Sequence, residues 1–105
     1  MSVRARLCGV DEITSGTARP FVEAGTKIVL VRIEEDFYAL NDRCSHANIA
    51  LSEGEVHVEN RHIECWKHGS SFSLETGCPD VLPATQPVPT YEVEVEGGSV
   101  WVVLP

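Results

Sequence analysis

The sequence is dominated by a two-residue alternation of apolar and polar side chains, broken by turn residues about every eight to twelve positions. This pattern is typical of an antiparallel all-β domain. Residues 91–96 read Tyr-Glu-Val-Glu-Val-Glu and show the alternation most strictly, so we expect one buried and one solvated face there. No stretch keeps the i, i+3, i+4 spacing of an amphipathic helix over roughly eleven residues. Any helix is therefore expected to be short.

Three hairpins are expected from the order of runs and turns. The β-branched run Thr26–Ile33 is followed, after an acidic turn, by the apolar residues 37–40. Residues 55–58 and 61–64 flank Glu59-Asn60, which predicts a hairpin with a two-residue connection. Gly97-Gly98 then joins residues 91–96 to residues 99–103. The length of 105 residues fits a single domain, residues 1–105.

Charge and hydropathy exclude several classes of partner. Eight Lys and Arg residues stand against sixteen Asp and Glu, a formal net charge of -8, whereas binding to a phosphate backbone needs clustered cations. We therefore expect no nucleic-acid partner. No apolar run approaches the roughly 20 residues of a membrane span, and no apolar signal region follows the N-terminus. We expect a cytoplasmic protein without a membrane partner.

Two short motifs combine a thiol with an imidazole. Cys44 and His46 form a Cys-x-His motif, and Cys65 and His68 form a Cys-x-x-His motif, each after a predicted strand. A 2Fe-2S cluster needs four protein ligands divided equally between two irons. Residues two apart in extended backbone lie roughly 6 to 7 Å from each other, so each loop can reach both irons. We infer that Cys44 and Cys65 bind one iron and that His46 and His68 bind the other.

A structural zinc site is the alternative for the same four residues. Zinc fingers usually begin with two closely spaced cysteines, so one Cys-His pair in each half of the site favours iron and sulfide. All positions on each iron would be filled by protein and sulfide, whereas catalytic metals keep an open position. The chain is therefore expected to carry electrons and not to be an enzyme.

With these motifs the sequence resembles the Rieske family, in which two histidines replace two cysteines on one iron. The resemblance runs over about residues 7–103 and includes Asn41-Asp42-Arg43, Leu51-Ser52-Glu53-Gly54, and Phe72 with Thr76-Gly77. It is greatest to the small Rieske ferredoxins of bacterial aromatic-ring dioxygenases of the biphenyl and carbazole type. This resemblance implies three antiparallel sheets, an inserted cluster-binding subdomain at about residues 42–80, and a proline-containing loop, residues 81–87, beside the cluster.

The resemblance also implies a function and partners. A ferredoxin of this type holds one Rieske 2Fe-2S cluster and passes single electrons from a flavin-containing reductase to a terminal aromatic-ring-hydroxylating oxygenase, in aromatic hydrocarbon catabolism. Two alternatives remain open from the sequence. Related small Rieske proteins accompany iron-sulfur cluster assembly, and a redox-sensing module would use the same ligand loops.

The sequence departs from the respiratory Rieske proteins, which carry an additional cysteine in each loop. Ile49 and Lys67 occupy those positions, and Phe72 stands where that branch places a tyrosine hydroxyl. Loss of a hydrogen bond to the cluster predicts a potential towards the lower end of the Rieske range of roughly -150 to +300 mV.

The remaining cysteines and histidines match no ligand of the family. Cys8 fits a strand core and Cys78 a turn; a disulfide between them is left open, although a reducing compartment disfavours it. His57 and His62 lie on hairpin strands beside glutamates and are expected to be surface residues.

Overall fold

The fold is described from a computed structural model in which residues 3–43, 50–65, 70–79 and 87–104 are defined. Within these ranges the chain forms nine strands: β1 (Val3–Gly9), β2 (Thr17–Glu23), β3 (Thr26–Ile33), β4 (Asp36–Asn41), β5 (Glu55–His57), β6 (His62–Glu64), β7 (Ser71–Ser73), β8 (Thr90–Glu96) and β9 (Ser99–Leu104). The helical segments here are two single 3₁₀ turns, Val10–Glu12 and Leu51–Glu53. In the described residues, no helix has the length and apolar character needed to cross a membrane.

All strand pairs are antiparallel, and they form three sheets. Strands β1, β9 and β8 make one sheet and β2, β3 and β4 the second. Two residue pairs, Ala39 with Tyr91 and Leu40 with Thr90, connect β4 to β8, so these sheets run on in the order β1-β9-β8-β4-β3-β2. Strands β5, β6 and β7 form the separate third sheet. The expected all-β fold of antiparallel sheets is confirmed, and the first two of the three expected sheets are continuous through β4 and β8.

Strand β3 is buried on both faces and lies between two apolar cores. Val29, Val31 and Ile33 pack towards the third sheet, with Ile63 and Phe72. The alternate residues Ile28 and Leu30 pack into the second core, whose other buried members are Leu7, Cys8, Ile13, Ala39, Val100, Val102 and Leu104. Burial on both faces explains why Thr26–Ile33 reads as a nearly continuous apolar run and not as an alternation.

Two of the predicted hairpins are confirmed as predicted. The middle hairpin also forms, but its predicted two-residue connection is wrong. The pairs β3-β4 and β8-β9 form as expected, the latter around Gly97-Gly98. In the middle hairpin His57 pairs with His62, so four residues, not Glu59-Asn60 alone, connect the strands. Arg61 has a φ of 55°. That left-handed backbone cannot continue an extended ladder, which is why β6 begins one residue later than expected.

The strict alternation on β8 has a more specific explanation than a solvated face. Arg4 lies on β1, which is separated from β8 by β9. Its guanidinium binds Glu94 at 2.8 Å and Glu96 at 3.0 Å. Its guanidinium carbon lies 4.1 Å from the centroid of the Trp101 ring. We call these four residues the Arg4 clasp. The apolar face of β8 is buried only in part, because Val95, beside the terminal turn, is 53% exposed.

Arg61 also connects two of the sheets. Its guanidinium donates to the Tyr38 hydroxyl at 2.7 Å and to the Asp36 carboxylate at 2.7 Å, both on β4. These hydrogen bonds, that of Tyr38 first, raise the pKa of Arg61. The connection fixes the β5-β6 turn against the second sheet and so orients the third sheet, which carries the second predicted ligand motif.

Candidate metal centre

The first ligand motif begins and ends at a buried hydrogen-bonded contact. Asp42 directly follows β4 and is only 7% exposed. Its carboxylate accepts hydrogen bonds from the Ser52 amide at 2.7 Å and from the Ser52 hydroxyl at 2.8 Å. We call this pair the Asp42 clasp. It joins the chain two residues before and three residues after residues 44–49 and so holds together the two stretches that flank this segment. Cys44 and His46 themselves lie outside the described residues.

The second ligand motif is closed by the backbone. Cys65 directly follows β6 and is fully buried. Its amide donates to the Ser70 carbonyl at 2.6 Å, which brings together the two ends of residues 66–69. Cys65 is the one predicted ligand that the structure describes, because His68 lies within that segment. Trp66 and Lys67 also lie outside the described residues.

The chain that follows the first motif and the first residue of the second motif belong to the same core. Leu51, next to the Asp42 clasp, and Cys65 are both fully buried members of the core beneath the third sheet. Gly54 brings the backbones still closer, because a Cβ atom at this position would lie 1.8 Å from the Glu64 carbonyl oxygen. The chain leaving the first motif therefore lies against the strand that leads into the second, and only glycine permits this approach.

The proline-rich segment also starts and ends near this core. The Val88 amide donates to the Gly77 carbonyl at 2.8 Å, and Val88 belongs to the same core as Cys65. Pro79 forms an isolated antiparallel bridge with Phe72 on β7. The loop predicted at residues 81–87 is described only at Pro87, since residues 80–86 lie outside the described part. Its two ends are fixed beside the sheet that carries Cys65.

Residues 4–92 of the chain match the family model of the Rieske [2Fe-2S] domain. The chain belongs to the Rieske family. It is 41% identical to the 3-phenylpropionate/cinnamic acid dioxygenase ferredoxin subunit of Escherichia coli K12 over 102 residues, covering 97% of this chain and 94% of that protein. Such relatives are electron-transfer components, and this Rieske protein is one as well, not a catalytic subunit.

Solved Rieske structures show the same fold. The ferredoxin of carbazole 1,9a-dioxygenase from Nocardioides aromaticivorans IC177 superposes with a TM-score of 0.93 at 34% identity, covering 95% of this chain and 96% of that one. A complex of reduced oxygenase and oxidised ferredoxin in carbazole 1,9a-dioxygenase contains a chain that superposes with a TM-score of 0.89 at 35% identity, covering 95% and 92%.

A Rieske domain holds one 2Fe-2S cluster, and the residues present fit that group. Cys65 supplies a buried thiol at the end of a strand, surrounded by apolar side chains. A soft thiolate in an apolar setting suits iron and sulfide. The family match decides against the zinc alternative.

Cys8 and Cys78 are free thiols in separate places. Cys8 is buried in the core between the first two sheets, and this burial, followed by the charge of Glu12, raises the pKa of its thiol. Cys78 is exposed. The disulfide that the sequence left open is absent between these two described residues.

His57 contacts Glu64 on the third sheet. Its Nε2 lies 3.0 Å from the Glu64 carboxylate, and both side chains are about one-third exposed. Glu55 stands opposite Glu64 in the register, and the ligand atoms of all three lie within 4.8 Å of one another. Because these side chains are partly exposed and His57 already contacts Glu64, the group is explained as a hydrogen-bonded surface contact.

Sequence reasoning missed the residues that hold the ligand segments in place. Asp42, Ser52 and Gly54 drew attention only as part of a family resemblance. Their roles depend on contacts over ten residues or more: Asp42 with Ser52 and Gly54 with Glu64. An aspartate two residues before a predicted ligand and a glycine before a short strand were the available signals, and neither identifies its partner.

Proposed function

We propose that Cys44, His46, Cys65 and His68 hold the 2Fe-2S cluster, with the two thiolates on one iron and the two imidazoles on the other. The buried Cys65, the fixed ends of both ligand segments and their origin on a single core support this ligand set. When bound, the cluster accepts and gives up one electron. The surrounding residues position the ligands and exclude water from the thiolate side.

The domain organisation follows from the same residues. The chain is a single Rieske domain, residues 1–105, in which about residues 42–80 form the cluster-binding subdomain. The third sheet and the Asp42 clasp support this division, because they lie between these bounds. We place the protein in the cytoplasm. The free thiols Cys8 and Cys78 are consistent with a reducing compartment.

The carrier serves a terminal aromatic-ring-hydroxylating oxygenase and receives its electrons from a flavin-containing reductase. The observation that carries this proposal is the 41% identity, over nearly the whole chain, to a ferredoxin subunit of a dioxygenase that acts on 3-phenylpropionate and cinnamic acid. The carbazole dioxygenase complex supports an oxygenase as the electron acceptor, since a related ferredoxin is bound there to its oxygenase. A small transient interface is typical of such redox partners.

Reconstitution tests the proposed function. The purified protein is combined with the reductase and the oxygenase encoded beside it, and oxidation of reduced nicotinamide nucleotide is measured together with formation of hydroxylated aromatic product. We expect both to require this protein and to follow its concentration. The Cys65→Ala variant serves as the control for an intact cluster. Product formation at the same rate without the protein would contradict the proposal.

Spectroscopy tests the ligand set independently of turnover. Pulsed EPR of the reduced protein is expected to show magnetic coupling to nitrogen atoms of two imidazoles. His46→Cys or His68→Cys should lower the reduction potential if the cluster is retained, because a negative thiolate replaces a neutral ligand and disfavours the added electron. A spectrum without nitrogen coupling would exclude His46 and His68 as ligands.

A further inference from the structure

The distribution of positive side chains is uneven across this acidic protein. It has eight Lys and Arg residues and a formal net charge of -8. Five arginines are engaged with carboxylates, hydroxyls or backbone carbonyls: Arg4, Arg6, Arg19, Arg32 and Arg61. Among the described residues, Lys27 and Arg43 are the cations whose side chains have neither an ion pair nor a hydrogen bond. Lys67 lies outside the described residues.

Both of these cations line one groove. It has a volume of about 540 Å³ and lies between the β2-β3 turn, at Gly25, and the two ends of the first ligand segment, at Arg43 and Ala50. Lys27 and Arg43 are both exposed. The Asp42 amide donates to the Lys27 carbonyl at 2.9 Å, so the start of β3 is fixed beside the residue that precedes the ligand segment.

The negative charge in this groove is already satisfied. Asp42 contributes to the lining, but it is only 7% exposed and both of its carboxylate oxygens accept hydrogen bonds from Ser52. Within the described part of the chain, the groove therefore presents two positive side chains without a partner to solvent, and one of them, Arg43, directly precedes Cys44 in the sequence. Such a patch on an otherwise acidic molecule attracts a negatively charged surface and orients the encounter.

We propose that this groove docks an acidic patch of the terminal oxygenase, whose carboxylates bind Lys27 and Arg43. The inference rests on the proposed function. The oxygenase is the favoured occupant because a related ferredoxin is seen bound to its oxygenase, and because the groove adjoins the segment that carries two of the four proposed ligands. Contact here brings the acceptor next to the electron source.

Charge reversal tests the groove. The dissociation constant for the oxygenase encoded beside this chain is measured by calorimetry with the oxidised holoprotein, so that reduction potential does not enter. The double variant Lys27→Glu with Arg43→Glu should raise this constant by roughly tenfold or more at low ionic strength. The loss should shrink in about 0.5 M salt, where exposed charges are screened. Lys27→Arg with Arg43→Lys should bind within about threefold of the wild type.

Arg19→Glu is the matched control. Arg19 is an exposed cation on β2, paired with Leu30 and separated from the Gly25 turn by most of that strand. It changes the net charge by half as much as the double variant, so its loss is compared with that of Lys27→Glu alone. It leaves the groove unaltered, and we expect its dissociation constant to stay within about twofold of the wild type. If Arg19→Glu weakened binding of the oxygenase as much as Lys27→Glu, net charge and not the groove would determine the affinity, and this result would overturn the proposal.

The remaining outcomes separate this inference from the proposed function. If the wild type reduces the oxygenase and the double variant binds it with an unchanged dissociation constant, the proposed role of the groove is overturned and the carrier function stands. If the double variant weakens binding of the reductase and not of the oxygenase, the assigned occupant is wrong. If the wild type neither binds nor reduces the oxygenase, the proposed function fails and the inference fails with it.

Discussion

The two joined sheets and the small third sheet are stabilised by different means. In the joined sheets, strands of six to eight residues bury apolar side chains on one or both faces, and β3 alone contributes Ile28, Val29, Leu30, Val31 and Ile33 to the two cores. In the third sheet each strand has three residues. Strands this short are marginal without support from elsewhere. The third sheet packs Ile63 and Phe72 into the core that it shares with β3, and the Asp42 clasp and the close backbone approach at Gly54 add to this support. We expect its stability to depend also on the bound cluster.

Loss of the cluster should produce the largest difference in stability between the joined sheets and the third sheet. Replacing Cys65 with alanine removes one of the two proposed thiolate ligands, and metal binding is coupled to folding because ligands are brought together only in the folded state. We expect no iron or sulfide in the Cys65→Ala protein. Amide hydrogen exchange should become fast in β5–β7 while β3 and β9 stay protected. The control Cys78→Ser changes an exposed free thiol and should retain the full cluster.

Equal loss of protection in β3 and in β6 would break the comparison. It would show that the joined sheets also need the cluster to fold. A coloured Cys65→Ala protein with normal iron content would instead remove Cys65 from the ligand set.

Gly54→Ala tests the close approach between the ligand segments. The φ of Gly54 is -87°, which alanine tolerates, so the expected effect is steric. The new Cβ would lie 1.8 Å from the Glu64 carbonyl oxygen, and the backbone must move. We expect a loss of roughly 3 kcal/mol in unfolding free energy and a lower cluster content.

The matched control for Gly54 is Gly9→Ala, because Gly9 also has a negative φ, -76°. Its added Cβ would meet the flexible end of Glu12 at 3.0 Å, and that side chain can move aside. Unfolding in urea should show a loss of less than about 1 kcal/mol for Gly9→Ala. Similar losses of unfolding free energy at both glycines would mean that the close approach of Gly54 to Glu64 does not limit which residue can stand at position 54.

The joined sheets were largely predictable from the sequence, because burial of apolar faces leaves a periodic signal. Thr26–Ile33 has the predicted bounds, and β8 and β9 pair around Gly97-Gly98 as expected. The middle hairpin was predicted less well. Its four-residue connection depends on the left-handed backbone of Arg61, and an arginine gives no local signal for that conformation.

The candidate site was predictable in its ligand types and not in its supporting contacts. Thiols and imidazoles at short spacing have a chemical meaning without any fold, and this is why the two motifs identify the family. The Asp42 clasp has no such meaning, since an aspartate and a serine ten residues apart acquire a role only when the chain folds back. Lys27 and Arg43 likewise line one groove only because the fold brings the start of β3 next to the end of β4.

The Asp42 clasp should have an intermediate effect on stability. Asp42→Ala removes the acceptor of two hydrogen bonds at 2.7 and 2.8 Å and leaves the partly buried donors of Ser52 unpaired. Hydrogen bonds to a charged group contribute roughly 1.5–3 kcal/mol, and we expect a loss of about 2–3 kcal/mol. Ser52→Ala keeps the amide donor and should lose about 1 kcal/mol. Urea unfolding and the rate of iron loss to a chelator measure both, and equal rates in Asp42→Ala and the wild type would contradict the clasp.

The Arg4 clasp is the exposed counterpart in the joined sheets, and it should have the smallest effect. Arg4 has two carboxylate partners and an aromatic ring, more contacts than Asp42 has, yet its side chain is 35% exposed and that of Glu96 is 74% exposed. Exposed ion pairs contribute about 0–1 kcal/mol, and a cation in contact with solvent over an aromatic ring about 0.5–1 kcal/mol. Arg4→Ala should therefore lose about 1 kcal/mol in urea unfolding, and roughly 1 M salt should remove part of that difference because the Debye length falls to about 3 Å. The cluster content should not change. A loss as large as that of Asp42→Ala, with no dependence on salt, would show that burial does not decide which polar contacts stabilise this fold.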